Sequence, residues 1–187
     1  MMALRIYNAR HLHFINIHIE YCTYDPYYNK LYDIMPLKRG GVSVISHRQA
    51  KANNQYLPNH DETKETAFIY QVDCNNVYGW SMCENLPIDG LKWVNNFKER
   101  QINEYRSSDN YGYVLEVDLE YPQSLHDEHN DYPLAPEHLT INGHKKLAPN
   151  LNDKEKYIVH IDNLQYYLSM GMKLKKIYRV VKFRQIA

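Results

Sequence analysis

Gly112 to Tyr121 carries the cleanest alternation in the chain. Tyr113, Leu115, Val117, Leu119 and Tyr121 fall on one side, and Glu116, Asp118 and Glu120 on the other. Period two of this kind predicts a strand with one face in a core and an acidic face in water. Ala67 to Asp73 alternates as well, Phe68, Tyr70 and Val72 against Ile69, Gln71 and Asp73, which predicts a strand ending at Asp73. Asparagines favour turns and helix starts, so Cys74-Asn75-Asn76 leads to an expected short helix from Val77 to Leu86, halted at Pro87. Further on, the pattern predicts a strand from Lys156 to Ile161, a helix from Asn163 to Met170 ending at Gly171, and a last strand from Lys173 to Arg184. The prolines between Pro122 and Pro136 mark a loop. Short strands between helices and loops, with no internal repeat, make the expected fold class α+β.

Composition narrows the picture without naming a function. The 187 residues are enough for one sizeable core, and 44% apolar with 24% charged residues fits a soluble globular domain. Lysine plus arginine equals aspartate plus glutamate at 22 each, so attraction to nucleic acid has to be local. Two segments are locally biased. From Glu104 to Glu137 there are 9 acidic residues against the one base Arg106. Lys173, Lys175, Lys176, Arg179, Lys182 and Arg184 form a run without an acid, a pattern that serves a phosphate backbone or a solvated face equally.

Cys22, Cys74 and Cys83 are too few and too irregular for a disulfide framework or a tetrahedral zinc site, which fits a reducing compartment. His11, His13 and His18 lack a carboxylate or cysteine at metal-ligand spacing and read as strand histidines. The 18 tyrosines are read chiefly as core and rim residues. Polar residues interrupt the first twenty positions, so no signal peptide or membrane span is expected there and an intracellular setting is. Asp73 stands out chemically: a carboxylate at a strand end beside a helix start can hold the cation that a phosphate brings to the helix amides.

The string Tyr70-Gln-Val-Asp73-Cys-Asn-Asn-Val-Tyr78-Gly is similar to the first palm motif of family B DNA polymerases, D-x-x-S-L-Y-P, with the aspartate and tyrosine five apart. Its paired asparagines and glycine, followed by Trp80, Met82, Leu86-Pro87 and Lys92-Trp93, resemble protein-primed polymerases of Maverick-type transposons and related organellar and viral elements. Lys38-Arg39-Gly40-Gly41 resembles the Y-x-G-G motif between exonuclease and polymerase modules, and Ala52-Asn53-Asn54 follows it as in the transposon group. Gly112 to Pro122, Asn130 to Pro136 and Tyr157 to Lys182 read like that group too, so the resemblance runs from about Tyr32 onward.

The resemblance implies a partial polymerase palm, divided into a poorly defined segment over 1–36, a Y-x-G-G-like linker over 37–66, and a palm over 67–187 with a subdomain inserted after the first palm motif. It implies DNA-directed DNA synthesis in replication, with Mg2+ as cofactor. Partners would be a DNA template and primer, deoxynucleoside triphosphates and a terminal priming protein, with no membrane; nucleus and mitochondrion both stay open. Asp73 would bind both magnesium ions and the Cys74 carbonyl would complete one coordination sphere, oxygen ligands suiting magnesium. The amides of Asn76, Val77 and Tyr78 would receive the triphosphate, and the Tyr78 ring would exclude a ribose 2′ hydroxyl. Arg39, Gly40 and Gly41 would contact template phosphates. Lys38 stands where the family has tyrosine, Asn76 where it has serine and Gly79 where it has proline.

The chain contains neither the Y-x-D-T-D-S strand nor the K-x-x-x-N-S-x-Y-G helix that complete a family B active site, and it is expected to be inactive alone, since two-metal catalysis needs a second carboxylate. Three readings remain at this point. The chain is a polymerase fragment, a DNA-binding remnant gripping through Arg39 and the basic run from Lys173, or an unrelated hydrolase joining Asp73 to Asp118 or Glu116 through a metal.

Overall fold

The computed structural model describes residues 42, 45, 47–70 and 75–186. It divides into a smaller unit, Ser43–Asn75, and a larger unit, Met1–Val42 with Asn76–Ala187, described at 42 and over 76–186. The fold is α+β: antiparallel sheets with a few short helices.

The larger unit opens with helix α1, Val77–Met82, and strand β1, Leu86–Trp93. Helix α2, Glu99–Glu104, precedes strand β2, Tyr111–Glu120. A 3-10 turn at Gln123–Leu125 runs into helix α3, His126–His129. Strands β3, Glu137–Ile141, and β4, His144–Ala148, form a hairpin. Strand β5, Lys154–His160, helix α4, Ile161–Ser169, and strand β6, Lys173–Ile186, complete it. The main sheet has the order β1-β6-β2-β5, every pair antiparallel, and β3-β4 stands as a separate two-stranded sheet.

The alternation of β2 sets the core. Leu115, Val117 and Leu119 are fully buried and pack with Val159 and Tyr157 of β5, Val180 of β6, Ile161, Leu164 and Tyr167 of α4, and Ile102 of α2. Burial of such side chains contributes roughly 1.5–3 kcal/mol each. The opposite face of the sheet has a smaller cluster, Val114, Ile158, Val181 and Phe183, with Leu91 against it. Gly112 makes this possible, because a Cβ there would lie 2.3 Å from the Phe183 ring and 2.5 Å from Gln185 Oε1.

Helix α4 begins directly after β5. His160 caps it, Nδ1 accepting from the Asp162 N–H at 3.4 Å. It ends as the glycine predicts: Gly171 takes φ +96°, its N–H reaches the Leu168 carbonyl, and the Met172 N–H reaches that of Tyr167, the paired bonds of a Schellman motif.

Three expectations change. The helix from Val77 stops at Met82, and Leu86-Pro87 opens a strand where a helix halted at Pro87 was expected. A residue before proline is driven out of the helical region, and a proline, lacking an N–H, suits an edge strand, which β1 is. The segment from Pro122 to Pro136 is more than a loop, since it contains the 3-10 turn and α3. It is held down by Tyr121, whose hydroxyl accepts from the Leu134 N–H at 3.1 Å and meets His129 Nδ1 at 2.8 Å. Burial pushes that tyrosine up to about 12. In the smaller unit the strand expected over Ala67 to Asp73 is reduced to a single bridge between Ala67 and Asn53, with 68–70 outside any ladder and 71–73 outside the described residues. Phe68 and Tyr70 do share a side, their rings stacked at 6.0 Å. Asn53 organises this unit, its side-chain amide donating to the carbonyls of Asp61, Lys64 and Glu65.

Candidate functional site

Of the residues singled out by sequence, Arg39, Gly40, Gly41, Asp73 and Cys74 lie outside the described residues, as does the side chain of Tyr78. What can be described of the motif is the start of α1. Asn76 is its N-cap, in the left-handed region at φ 54° and ψ 39°, and its carbonyl accepts from the Trp80 N–H at 3.0 Å. Val77 and Tyr78 are the first helical residues, so their amides have no acceptor within the helix. The Asn76 side chain makes no capping bond. It folds over the helix instead: a Cβ at Gly79 would sit 2.5 Å from Asn76 Oδ1 and 2.6 Å from its Nδ2. Asparagine at 76 and glycine at 79 are therefore one local arrangement, the glycine leaving the room that the asparagine uses. Past α1, Asn85 Nδ2 donates to the Ser107 carbonyl at 2.5 Å, fixing the turn into β1.

The acidic face of β2 is not an open row. Glu116 pairs with Arg179 at 2.5 Å. Asp118 accepts from the Lys156 backbone N–H and the Tyr178 hydroxyl, both at 2.7 Å. Glu120 has Lys173 at 3.5 Å and Lys175 at 3.6 Å. The register explains the matching, because Glu116 lies opposite Arg179, Asp118 opposite Lys176 and Glu120 opposite Lys173, and cross-strand neighbours sit within side-chain reach. The Lys156 N–H, and after it the Tyr178 hydroxyl, hold the Asp118 carboxyl below its ordinary value. The same contact holds the Tyr178 hydroxyl above its own.

Four of the six cations of the basic run are paired with carboxylates in this arrangement. Arg184 forks onto Asp89, Lys175 also reaches Asp153 at 2.9 Å, Lys176 lies 4.3 Å over the Tyr178 ring, and Lys182 3.7 Å over the Tyr111 ring. The carboxylates of β2 are thus each partnered, while Lys176 and Lys182 keep their charge over tyrosine rings. Among the described residues no three histidine, cysteine, aspartate or glutamate side chains gather as a metal site, and no helix is long and apolar enough to cross a membrane.

No family model, curated protein or solved structure matches the chain.

The hairpin β3-β4 escaped the sequence reading although its signal was present. Asn142-Gly143 takes φ 50° and 77°, the two positive values a two-residue type I′ turn requires, between Ile141 and His144 as the closing pair. Its base is fixed by Lys154, whose ammonium is fully buried against Glu137 Oε2 at 2.9 Å and Asn150 Oδ1 at 2.5 Å. Asn150 Nδ2 reaches the same Glu137 oxygen at 2.9 Å.

Proposed function

We propose that this chain is part of a DNA-directed DNA polymerase of the protein-primed family B type, contributing the first palm motif and the subdomain that follows it. The supporting observation is the start of α1. In the motif string Asp73 and Tyr78 stand five apart, and Val77 and Tyr78 open the six-residue helix α1, so their amides have no acceptor within the helix. The reading assigns metal binding to Asp73 and the Cys74 carbonyl, triphosphate binding to the amides of Asn76, Val77 and Tyr78, sugar selection to the Tyr78 ring, and template contacts to Arg39, Gly40 and Gly41. Magnesium held by these residues would ease loss of the proton from the primer 3′ hydroxyl and stabilise the negative charge on the departing pyrophosphate.

The chain by itself is proposed to incorporate no nucleotide. The reading of a DNA-binding remnant gripping through β6 is less well supported, because four of its six cations are paired with carboxylates.

The test is manganese binding followed by electron paramagnetic resonance, with and without a deoxynucleoside triphosphate. Retention of metal by the triphosphate complex is expected to fall on Asp73→Ala, and preference for deoxyribose over ribose to fall on Tyr78→Val. Equal retention by wild type and Asp73→Ala overturns the assignment.

A further inference from the structure

Lys176 and Lys182 of β6 lie over tyrosine rings, whereas the hairpin lysines lie over no ring among the described residues. Lys145 and Lys146 are exposed and have no acidic partner among the described residues. From His138 to Asn150 the sequence contains no acid at all, while His138, His144, Lys145 and Lys146 fall within it. Lys145 stands opposite Thr140 and Lys146 opposite Leu139, and since successive strand residues point to opposite faces, the two ammonium groups project from the two sides of the ribbon. The tip is slim, Asn142-Gly143, with nothing within 4 Å of a Cβ placed on Gly143.

A two-stranded hairpin alone is marginally stable. This one is anchored through the buried Lys154, Glu137 and Asn150 bonds and by the Tyr157 hydroxyl on the Pro136 carbonyl at 3.3 Å. It is therefore a fixed arm whose free end carries uncompensated positive charge.

We infer that the β3-β4 hairpin is a binding arm for double-stranded nucleic acid, entering a major groove tip-first with Lys145 and Lys146 reaching the phosphates on its two walls. Five residues per strand span about 17 Å, and a major groove about 12 Å wide admits a two-stranded ribbon. An acidic protein is the poorer fit, since a protein interface wants an apolar centre and this tip offers only Ile141 among large exposed apolar residues. The choice of DNA over other polyanions rests on the polymerase reading; the arm itself rests on the hairpin.

The experiment is fluorescence anisotropy of the 187-residue chain with a labelled DNA duplex across a salt series. Lys145→Gln with Lys146→Gln is expected to weaken binding about tenfold or more at low salt and to lower the salt slope by about 2, one counterion per lysine. Lys175→Gln with Arg179→Gln, whose charges are already paired, should change the slope little. Manganese retention by the hairpin double variant should match wild type, so that failure of the metal assignment and failure of the arm are read separately. Both hairpin lysines are exposed, so the circular dichroism melt of the double variant should match wild type. No duplex binding by wild type at about 50 mM salt, where such contacts are strong, overturns the inference. So does unchanged binding by the hairpin variant, or polyglutamate binding the chain as tightly as the duplex does.

Discussion

The four-stranded sheet and the two-stranded hairpin both carry lysines, and they answer the problem of exposed strands in opposite ways. In the sheet, each charged residue on β2 meets an opposite charge or a hydroxyl across the register, and the strands are held by a core on one face and a smaller cluster on the other. In the hairpin the apolar contribution is small, and one buried ion pair at the base does the holding while the tip stays unpaired. Surface pairs contribute little individually. A buried ammonium with its donors satisfied is different, because losing it strands its partner in a poorly hydrated place. A run of cations in a sequence thus says little about where positive charge is available; pairing across strands decides it.

Leu119→Ala in the sheet should have the largest effect. It removes a fully buried side chain and is expected to cost about 3 kcal/mol or more, seen as a lower urea midpoint for the whole larger unit. Loss confined to the hairpin would mean that the sheet core is not what holds the unit together.

Lys154→Ala comes next. Glu137 keeps 26% of its side-chain exposure and can be partly rehydrated, so the expected cost is about 2–3 kcal/mol, below the 3–5 of a fully buried pair. Amide exchange should quicken across β3 and β4 more than across β2. Uniform quickening would contradict a hairpin held mainly from its base.

The smallest effect is expected for Asp118→Asn on the matched face. The folded carboxyl lies below its ordinary 3.8 because of the Lys156 N–H first and the Tyr178 hydroxyl after it. Its contribution is full above that ordinary value and is lost as pH falls through the lower folded one. The melting temperature of Asp118→Asn should therefore fall short of wild type at neutral pH and converge with it in acid. A gap that widens in acid would reverse the sign and remove the ladder as an explanation.

Local signals in the chain were strong where one physical requirement dominates. Leu115, Val117 and Leu119 alternate because one face is buried, and their strand lies within one residue of where the pattern puts it. Gly171 marks the end of α4 because φ +96° suits a residue without a Cβ. Pro87 signals a helix stop, yet the fold accommodates it in an edge strand. The hairpin's Asn142-Gly143 was legible but went unread, its short strands lacking a regular alternation. Of the candidate site, the spacing of Asp73 and Tyr78 came from the sequence. The use of Gly79 as room for the Asn76 side chain did not, since it depends on Asn76 adopting a left-handed backbone.

By itself, then, the sequence determined the α+β class, most of the strands of the main sheet and the motif around Asp73, because periodicity and turn chemistry act over a few neighbouring residues. Only the tertiary structure decided which charges remain available. Glu116 and Arg179 stand 63 positions apart in the chain and 2.5 Å apart in the fold, and no local pattern encodes a strand register that brings such residues together while leaving Lys145 and Lys146 alone.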